Sequence, residues 1–299
     1  MIGVDTIHAV IEAPAASQDN LQQRLLIALA ARGSALVAFS GGVDSALVAA
    51  LAHRALGSRA LAVTAAAETL TGKELDGARR LAAEIGIAHE VVTYSELDDP
   101  EYVRNPAWRC YVCQGLRMGT MVKLAEQRGF AVVCDGTNAS DPGPDRPGLR
   151  AVQEHGVWSP LLEAGATKAE VRALARELGL SAWHKPANAC LSSRIPHGQP
   201  VSLGKLRRIE RAEAVLLESG FRIVRVRHLQ NAGGAAARVE VGVDELARLR
   251  SEWPSLEPRL RSLGFVEVSL DEQGYRAGGA DRAASASAST PAIVPAAGA

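Results

Sequence analysis

The sequence predicts an α/β protein: a parallel sheet flanked by helices, followed by a smaller α+β domain. Three observations carry this. Short apolar runs alternate with helix-period segments through the first two-thirds of the chain, as in sheets covered on both faces. One of those runs ends in Ser40-Gly41-Gly42-Val43-Asp44-Ser45, a strand–turn–helix junction. Beyond about Pro200 the pattern changes to a long Arg/Glu-rich helix and alternating strands.

The elements follow in order. Residues 1–19 are weakly patterned and are expected to be flexible. Asp19 to Arg32 is helical, with Leu21, Leu25, Leu26 and Leu29 on one face. Ala35 to Phe39 is a buried strand, the Ser-Gly-Gly segment a tight turn, and Ala46 to Leu56 a helix. Arg59 to Ala65 and His89 to Thr93 are further parallel strands around a helix at Thr71 to Ile85. The pattern breaks between Pro100 and Cys113 and becomes helical from Gly115 to Gly129. Phe130 to Cys134 is a short strand closed by Asp135-Gly136-Thr137-Asn138, and the Pro- and Gly-rich stretch Ser140 to Gly148 must be a loop. Thr167 to Leu178 is an amphipathic helix with Thr167 and Glu170 at capping-box spacing. Trp183 to Arg194 is irregular. Leu203 to Ser219 is a helix, Arg222 to His228 and Ala236 to Val241 are strands, Asp244 to Trp253 and Ser255 to Leu263 are two helices, and Phe265 to Leu270 is a last strand. The domains expected are therefore 20–199 and 200–276. Residues 277–299, rich in Ala, Ser, Gly and Pro, read as a disordered tail.

Composition narrows the function. A chain of 299 residues, 47% hydrophobic and 22% charged, is long enough for two cores, and its formal net charge of zero offers no broad attraction to nucleic acid or membrane. No apolar run has the length of a membrane span, and the N-terminus lacks signal-peptide character, so a cytoplasmic protein is expected. Four cysteines in such a chain argue for thiol or metal chemistry rather than a disulfide framework.

Two adjacent glycines let backbone N–H groups approach an anion, and a helix start adds a favourable dipole. Ser40 and Ser45 add hydroxyls. Asp44 would repel a bare phosphate, which suggests Mg²⁺ between carboxylate and phosphate oxygens. The segment is neither a Walker loop nor a dinucleotide turn. It resembles the pyrophosphate (PP) loop of the N-type ATP pyrophosphatases, the adenine nucleotide alpha hydrolase-like fold. A plain strand–turn–helix connection is the weaker alternative.

Cys110 and Cys113 form a Cys-x-x-Cys pair, and Cys190 lies in Ala-Cys-Leu-Ser-Ser-Arg; Cys134 ends a strand and reads as a core residue. The pair alone fits half a zinc site, a redox dithiol or cluster ligands. Three thiolates without an obvious fourth partner suit a 4Fe–4S cluster with one open iron, with His184 as a possible extra ligand. Three unrelated thiols remain the plainer alternative, disfavoured because Cys110 and Cys190 fall in Pro-bearing, non-periodic stretches. Arg194, four residues after Cys190, is a candidate to hold a phosphate or carboxylate. Arg225 and Arg227 alternate on one strand face and can meet one anion, although a solvated face paired with Glu240 fits each of them nearly as well.

Over about residues 20–276 the chain resembles the LarE-type ATP-dependent sulfur transferases of nickel-pincer nucleotide (lactate racemase cofactor) biosynthesis. The resemblance rests on Ser-Gly-Gly-Val-Asp-Ser, Asn105-Pro106 through Cys113, Asp135-Gly136-Thr137-Asn138-Ala139 and Arg146-Pro147-Gly148-Leu149-Arg150. It continues through Ser159-Pro160-Leu161-Leu162-Glu163, Lys185-Pro186 through Arg194, and Arg225-Val226-Arg227 with Ala237-Arg238-Val239-Glu240. It implies an enzyme that splits ATP into AMP and pyrophosphate, adenylates a carboxylate of a pyridinium mononucleotide and makes a thiocarboxylate. It also implies sulfide or another sulfur donor, and homo-oligomers. In one branch a cysteine at the place of Cys190 gives up its own sulfur; in the other, three cysteines hold a cluster, and the extra cysteines here resemble that branch. Gln114 stands where Lys is usual, His184 where Asp often precedes Lys-Pro, and Pro144 interrupts a usually acidic loop. Thiolation of tRNA, amidation on the same scaffold, and a nucleotide-binding sensor without turnover are the rival readings.

Overall fold

The structure, a computed structural model, describes residues 16–141, 147–186 and 189–276. The expectations for residues 1–15 and for the tail from 277 lie outside the described residues, as do Pro144 and Arg146. The chain runs α1 (Ala16–Ala31), β1 (Ala35–Ala38), α2 (Val43–Leu56), β2 (Ala60–Ala66), α3 (Gly72–Ile85), β3 (Ala88–Thr93), α4 (Pro100–Val103), α5 (Arg109–Arg128) and β4 (Val132–Cys134). It continues through α6 (Pro147–Glu154), α7 (Pro160–Glu163), α8 (Lys168–Glu177), α9 (Leu203–Glu218), β5 (Val224–Asn231), β6 (Gly234–Val241), α10 (Leu246–Arg261) and β7 (Glu267–Leu270). Short 3-10 turns cover Ser181–His184 and Leu191–Arg194.

The first sheet is wholly parallel, in the order β3-β2-β1-β4. The central strands β1 and β2 are apolar on both faces because helices cover both. Ala35 and Val37 of β1 and Ala60 and Ala62 of β2 pack into one core with α1, α2 and α8. The intervening Leu36, Leu61 and Val63 join Met118 and Met121 of α5 and Val152 of α6 in a second. The strand period of two thus sorts alternate residues into two cores. Thr71 and Thr167 cap α3 and α8 with reciprocal Glu74 and Glu170 contacts, as the spacing predicts for α8.

The second sheet runs β5-β6-β7, with β5/β6 antiparallel and β6/β7 parallel. Val224, Val226, Val239 and Val241 pack there against Leu216 of α9 and Leu249, Leu256 and Leu260 of α10. A smaller apolar cluster of Tyr102, Leu191, Ile195, Leu206 and Ile209 joins the two halves. Among the described residues no helix is long and apolar enough to cross a membrane.

Three expectations are corrected. The Cys110–Cys113 stretch is not an irregular loop: α5 begins at Arg109, so both cysteines lie in its first five residues. Pro106 falls just before the helix, where it breaks the sequence pattern without interrupting the hydrogen-bond ladder. Pro147 and Gly148 belong to α6 rather than to the preceding loop, Pro147 being its first residue. Finally, α10 is one helix running through Pro254 and Pro258. Leu249, Leu256 and Leu260 continue one buried face across the prolines, and that burial outweighs the lost backbone bonds.

Candidate functional site

At the carboxyl end of β1, Phe39 still pairs with β2, its N–H donating to Val63 O (2.8 Å) while its carbonyl accepts from Thr64 Oγ1 (2.8 Å). Gly41 then takes φ +68°, and a Cβ there would lie 3.0 Å from the Ala78 Cα. Only glycine meets both conditions. Ser45 Oγ accepts from Ser40 N (3.2 Å) and donates to Gly42 O (3.2 Å), which fixes the turn from inside. Gly42 is the N-cap of α2 and brings no side-chain cap, so the first-turn N–H groups are left for an anion.

The Asp135–Asn138 segment lies directly on this loop: a Cβ on Gly136 would stand 2.7 Å from Ser45 N. Asp135 is spent on scaffolding, accepting from Thr137 Oγ1 (2.5 Å) and Ser159 Oγ (2.7 Å); burial raises its pKa although these bonds oppose the shift. Asp44 Oδ2 pairs with Lys168 Nζ at 2.5 Å, and its Oδ1 accepts from Asn138 Nδ2 at 3.2 Å. Lys185 Nζ donates to Gly41 O (2.8 Å), and burial lowers its pKa. Two lysines therefore face the loop, one on the carboxylate and one on the turn.

A cavity of roughly 500 Å³ opens in front of it, walled by Ser40, Asp44, Lys168, Arg117, Cys110 and Cys190 among others. The loop and two of the three candidate cysteines thus share one space. Cys190 comes there because its turn is strapped to the segment before α5. Buried Arg109 donates to Ser192 O (3.1 Å) and to the Asn105 side-chain oxygen. Asn105, at φ +57°, donates to Pro196 O and Gln199 O (both 2.8 Å), and Tyr102 OH meets Ser192 Oγ at 2.5 Å.

Cys110 is exposed, and Cys113 and Cys190 are half-buried. Burial raises the Cys190 thiol pKa, Arg109 pulls it down, and Glu96 and Cys110 push it up. Cys113 is raised well above the usual thiol range by burial, against the pull of Arg117 and with Glu96 adding to the rise. Its Sγ donates to Glu96 Oε1 at 2.9 Å. Cys190 in turn raises the Cys113 thiol. Among the described residues, however, no group of three or more His, Cys, Asp or Glu side chains is arranged to hold a metal ion. The donor types fit an iron–sulfur cluster; the orientation of Cys113, turned to Glu96, does not yet. His184 is exposed and packs against Trp183, with ring centroids 5.2 Å apart, and it is not on the cavity wall.

The arginines are placed differently from expectation. Arg194 is fully buried, giving Nε and Nη2 to Glu213 (2.8 and 3.1 Å) and Nη1 to Cys190 O (2.8 Å). It fastens the Cys190 turn to α9 instead of facing a ligand. Arg227 makes a two-pronged pair with Glu240 (2.9 and 2.8 Å) and donates to Ser193 O (2.9 Å); the pairing with Glu240 holds, but buried rather than solvated. Arg225 has no ion pair among the described residues. It donates to Val224 O (2.7 Å), lies 4.9 Å above the Tyr275 ring, and has its pKa lowered by burial and by Arg194.

Lys168, Glu96 and Arg117 carry no signal singled out in the sequence, and Asn138 enters it only within the Asp135–Ala139 stretch. For Lys168 the signal was at hand: the Thr167/Glu170 capping box makes it the first residue of a helix, at the sheet's carboxyl end.

The family described as asparagine synthase matches residues 17–138. An uncharacterised protein of Synechocystis sp. is 42% identical over 250 residues, 83% of this chain and 92% of that protein. The pyridinium-3,5-bisthiocarboxylic acid mononucleotide synthase of Lactiplantibacillus plantarum is 37% identical over 243 residues, 81% of this chain and 87% of that protein. The tRNA-specific 2-thiouridylase MnmA of Rhizobium rhizogenes is 30% identical over 187 residues, 48% of this chain and 47% of that protein.

Proposed function

The chain belongs to the LarE-type ATP-dependent sulfur transferases, and on that premise we propose that it adenylates a carboxylate of a pyridinium dicarboxylate mononucleotide and converts it to a thiocarboxylate. The observation that carries this reading is the single cavity shared by the phosphate loop and Cys190. A carboxylate is a poor electrophile because oxide would have to leave. Its oxygen attacks the ATP α-phosphorus, pyrophosphate departs, and the acyl-adenylate now has AMP as leaving group. Loop N–H groups and Lys168 stabilise the charge on pyrophosphate. Asp44 would hold Mg²⁺ there, the ion supplying further charge stabilisation on the phosphates. Arg225, without an ion pair among the described residues, is proposed to meet the nucleotide phosphate, while Arg227 stays on Glu240 and holds Ser193 O beside the Cys190 turn.

For the sulfur, Cys110, Cys113 and Cys190 would hold a 4Fe–4S cluster, which when bound supplies an iron site for exogenous sulfide. Cys113 would have to turn from Glu96 to do so. That hydrogen bond favours a second reading, in which Cys190 is the donor itself. Its thiolate attacks the acyl-adenylate and AMP leaves. Loss of the Cα proton with cleavage of the Cβ–S bond then yields the thiocarboxylate and dehydroalanine at 190.

Peptide mass spectrometry after reaction with ATP and substrate, together with a pyrophosphate assay, tests both. Unmodified Cys190, bound iron lost equally from Cys110→Ala, Cys113→Ala and Cys190→Ala, and several turnovers with added sulfide support the cluster. A loss of roughly 34 Da at Cys190 and one sulfur per chain supports sacrifice. Pyrophosphate release that does not depend on a pyridinium carboxylate would remove the function itself.

A further inference from the structure

Arg117 and Gln114 stand one turn apart on α5, and both line the cavity beside Cys110. Arg117 makes no ion pair among the described residues. Glu96, the carboxylate whose charge reaches it, is already engaged by Thr69 Oγ1 (2.7 Å), Tyr94 OH (3.1 Å) and Cys113 Sγ (2.9 Å). The guanidinium leans instead on the Tyr94 hydroxyl and on Cys113, with Nη2 3.7 Å from Sγ. The Arg117 Nε–H and the Gln114 Oε1 are both buried, and neither has a hydrogen-bond partner among the described residues.

A buried donor without an acceptor costs free energy that an anionic ligand would restore. A guanidinium fork beside an amide matches the plane and the two oxygens of a carboxylate, the amide rotating to present its N–H₂. The slot is kept open by Gly148, where a Cβ would press to 3.3 Å from Gln114 Cγ and 3.8 Å from Cys110 Cβ. Phosphate has its own reception across the cavity, at the loop.

We propose that Arg117 and Gln114 form a carboxylate subsite that holds the second carboxyl group of the substrate while the first is activated, and so selects dicarboxylates over monocarboxylates. This rests on the function proposed above. The same fork receives a thiocarboxylate anion, so the half-converted intermediate can turn over and present its other end.

Calorimetric titration with pyridine-3,5-dicarboxylate against pyridine-3-carboxylate reads the subsite without turnover. The wild type is expected to prefer the dicarboxylate by about tenfold or more, as for a site built around a charged hydrogen bond. Arg117→Met should bind the two acids equally, Arg117→Lys should keep part of the preference, and Gln114→Leu should lose part of it. If Arg117→Met does not fold, Arg117→Lys and Gln114→Leu carry the comparison. In turnover, Arg117→Lys should raise KM for the dicarboxylate nucleotide and leave KM for ATP unchanged. Equal binding of both acids by the wild type overturns the subsite, as does a preference left intact in every variant. A wild type that prefers the dicarboxylate but releases no pyrophosphate sinks the proposed function and leaves the subsite standing.

Discussion

Arg194 and Glu213 form a buried two-pronged ion pair, Nε–Oε1 2.8 Å and Nη2–Oε2 3.1 Å, that ties the Cys190 turn to helix α9. The remaining Arg194 nitrogen holds the Cys190 carbonyl, so the C-terminal half sets where the sulfur sits. Removing one partner strands a buried charge. Arg194→Met is therefore expected to lower stability by about 3–5 kcal/mol in urea unfolding. Arg194→Met combined with Glu213→Leu should recover part of the loss. Recovery stays incomplete because Glu213 also accepts from Val226 N (3.0 Å), leaving an orphan worth about 1–3 kcal/mol. A single variant with unchanged stability would show that the pair holds nothing together.

The Asp44–Lys168 pair is of another kind. Its side chains are 23% and 35% exposed, and at that exposure a pair contributes within about 1 kcal/mol. Its value lies in the site. Asp44→Asn should leave the unfolding midpoint nearly unchanged and abolish ATP-dependent pyrophosphate release. Lys168→Met should fold equally well and raise KM for ATP. Normal turnover of Asp44→Asn at saturating Mg²⁺ would contradict the assignment.

Gly136→Ala tests the packing of the Asp135–Asn138 segment on the loop. The added Cβ would meet Ser45 N at 2.7 Å and the Asp44 backbone carbon at 2.9 Å, and backbone cannot move aside cheaply. The expected outcome is a loss of about 1–3 kcal/mol in stability with at least about a tenfold fall in pyrophosphate release. Wild-type kinetics would mean that the loop yields freely.

His228 is buried, and burial, then Lys205 and Arg208, lower its pKa to about 4. Its Nε2 lies 3.2 Å from Arg208 Nη1 and accepts from it, which protonation would forbid. The unfolded chain binds this proton near pH 6.5, so stability is full above that value and falls as pH drops towards 4. The loss reaches up to about 3 kcal/mol. His228→Leu should flatten this part of the pH–stability curve in urea titrations, and a slope equal to that of the wild type would assign the acid sensitivity elsewhere.

Much of the architecture was legible because it is local. The apolar run before Ser40, the paired glycines and the helical period after Val43 are all decided within one window of chain, as are the caps at Thr71 and Thr167. Alternation of strand and helix patterns was enough for a parallel sheet, since a parallel pair requires a crossover. Where local signals misled, distant packing had overridden them. Pro254 read as a break, yet one buried leucine face carries α10 through it and on past Pro258. The residues around Cys110 read as irregular, yet they open a helix.

By itself the sequence determined the phosphate loop, the fold class and the residue types from which thiol chemistry can be built, because each follows from neighbouring residues and their backbone preferences. Only the tertiary structure decided which charges meet. Asp44 finds Lys168 across 124 positions, and Arg194 turns to Glu213 rather than to a ligand. Arg227 is used up on Glu240, while Arg117 faces the cavity without an ion pair among the described residues. The physical reason is that a buried charge must find a counter-charge wherever the fold provides one, and that choice is made in space, at separations no sequence window spans.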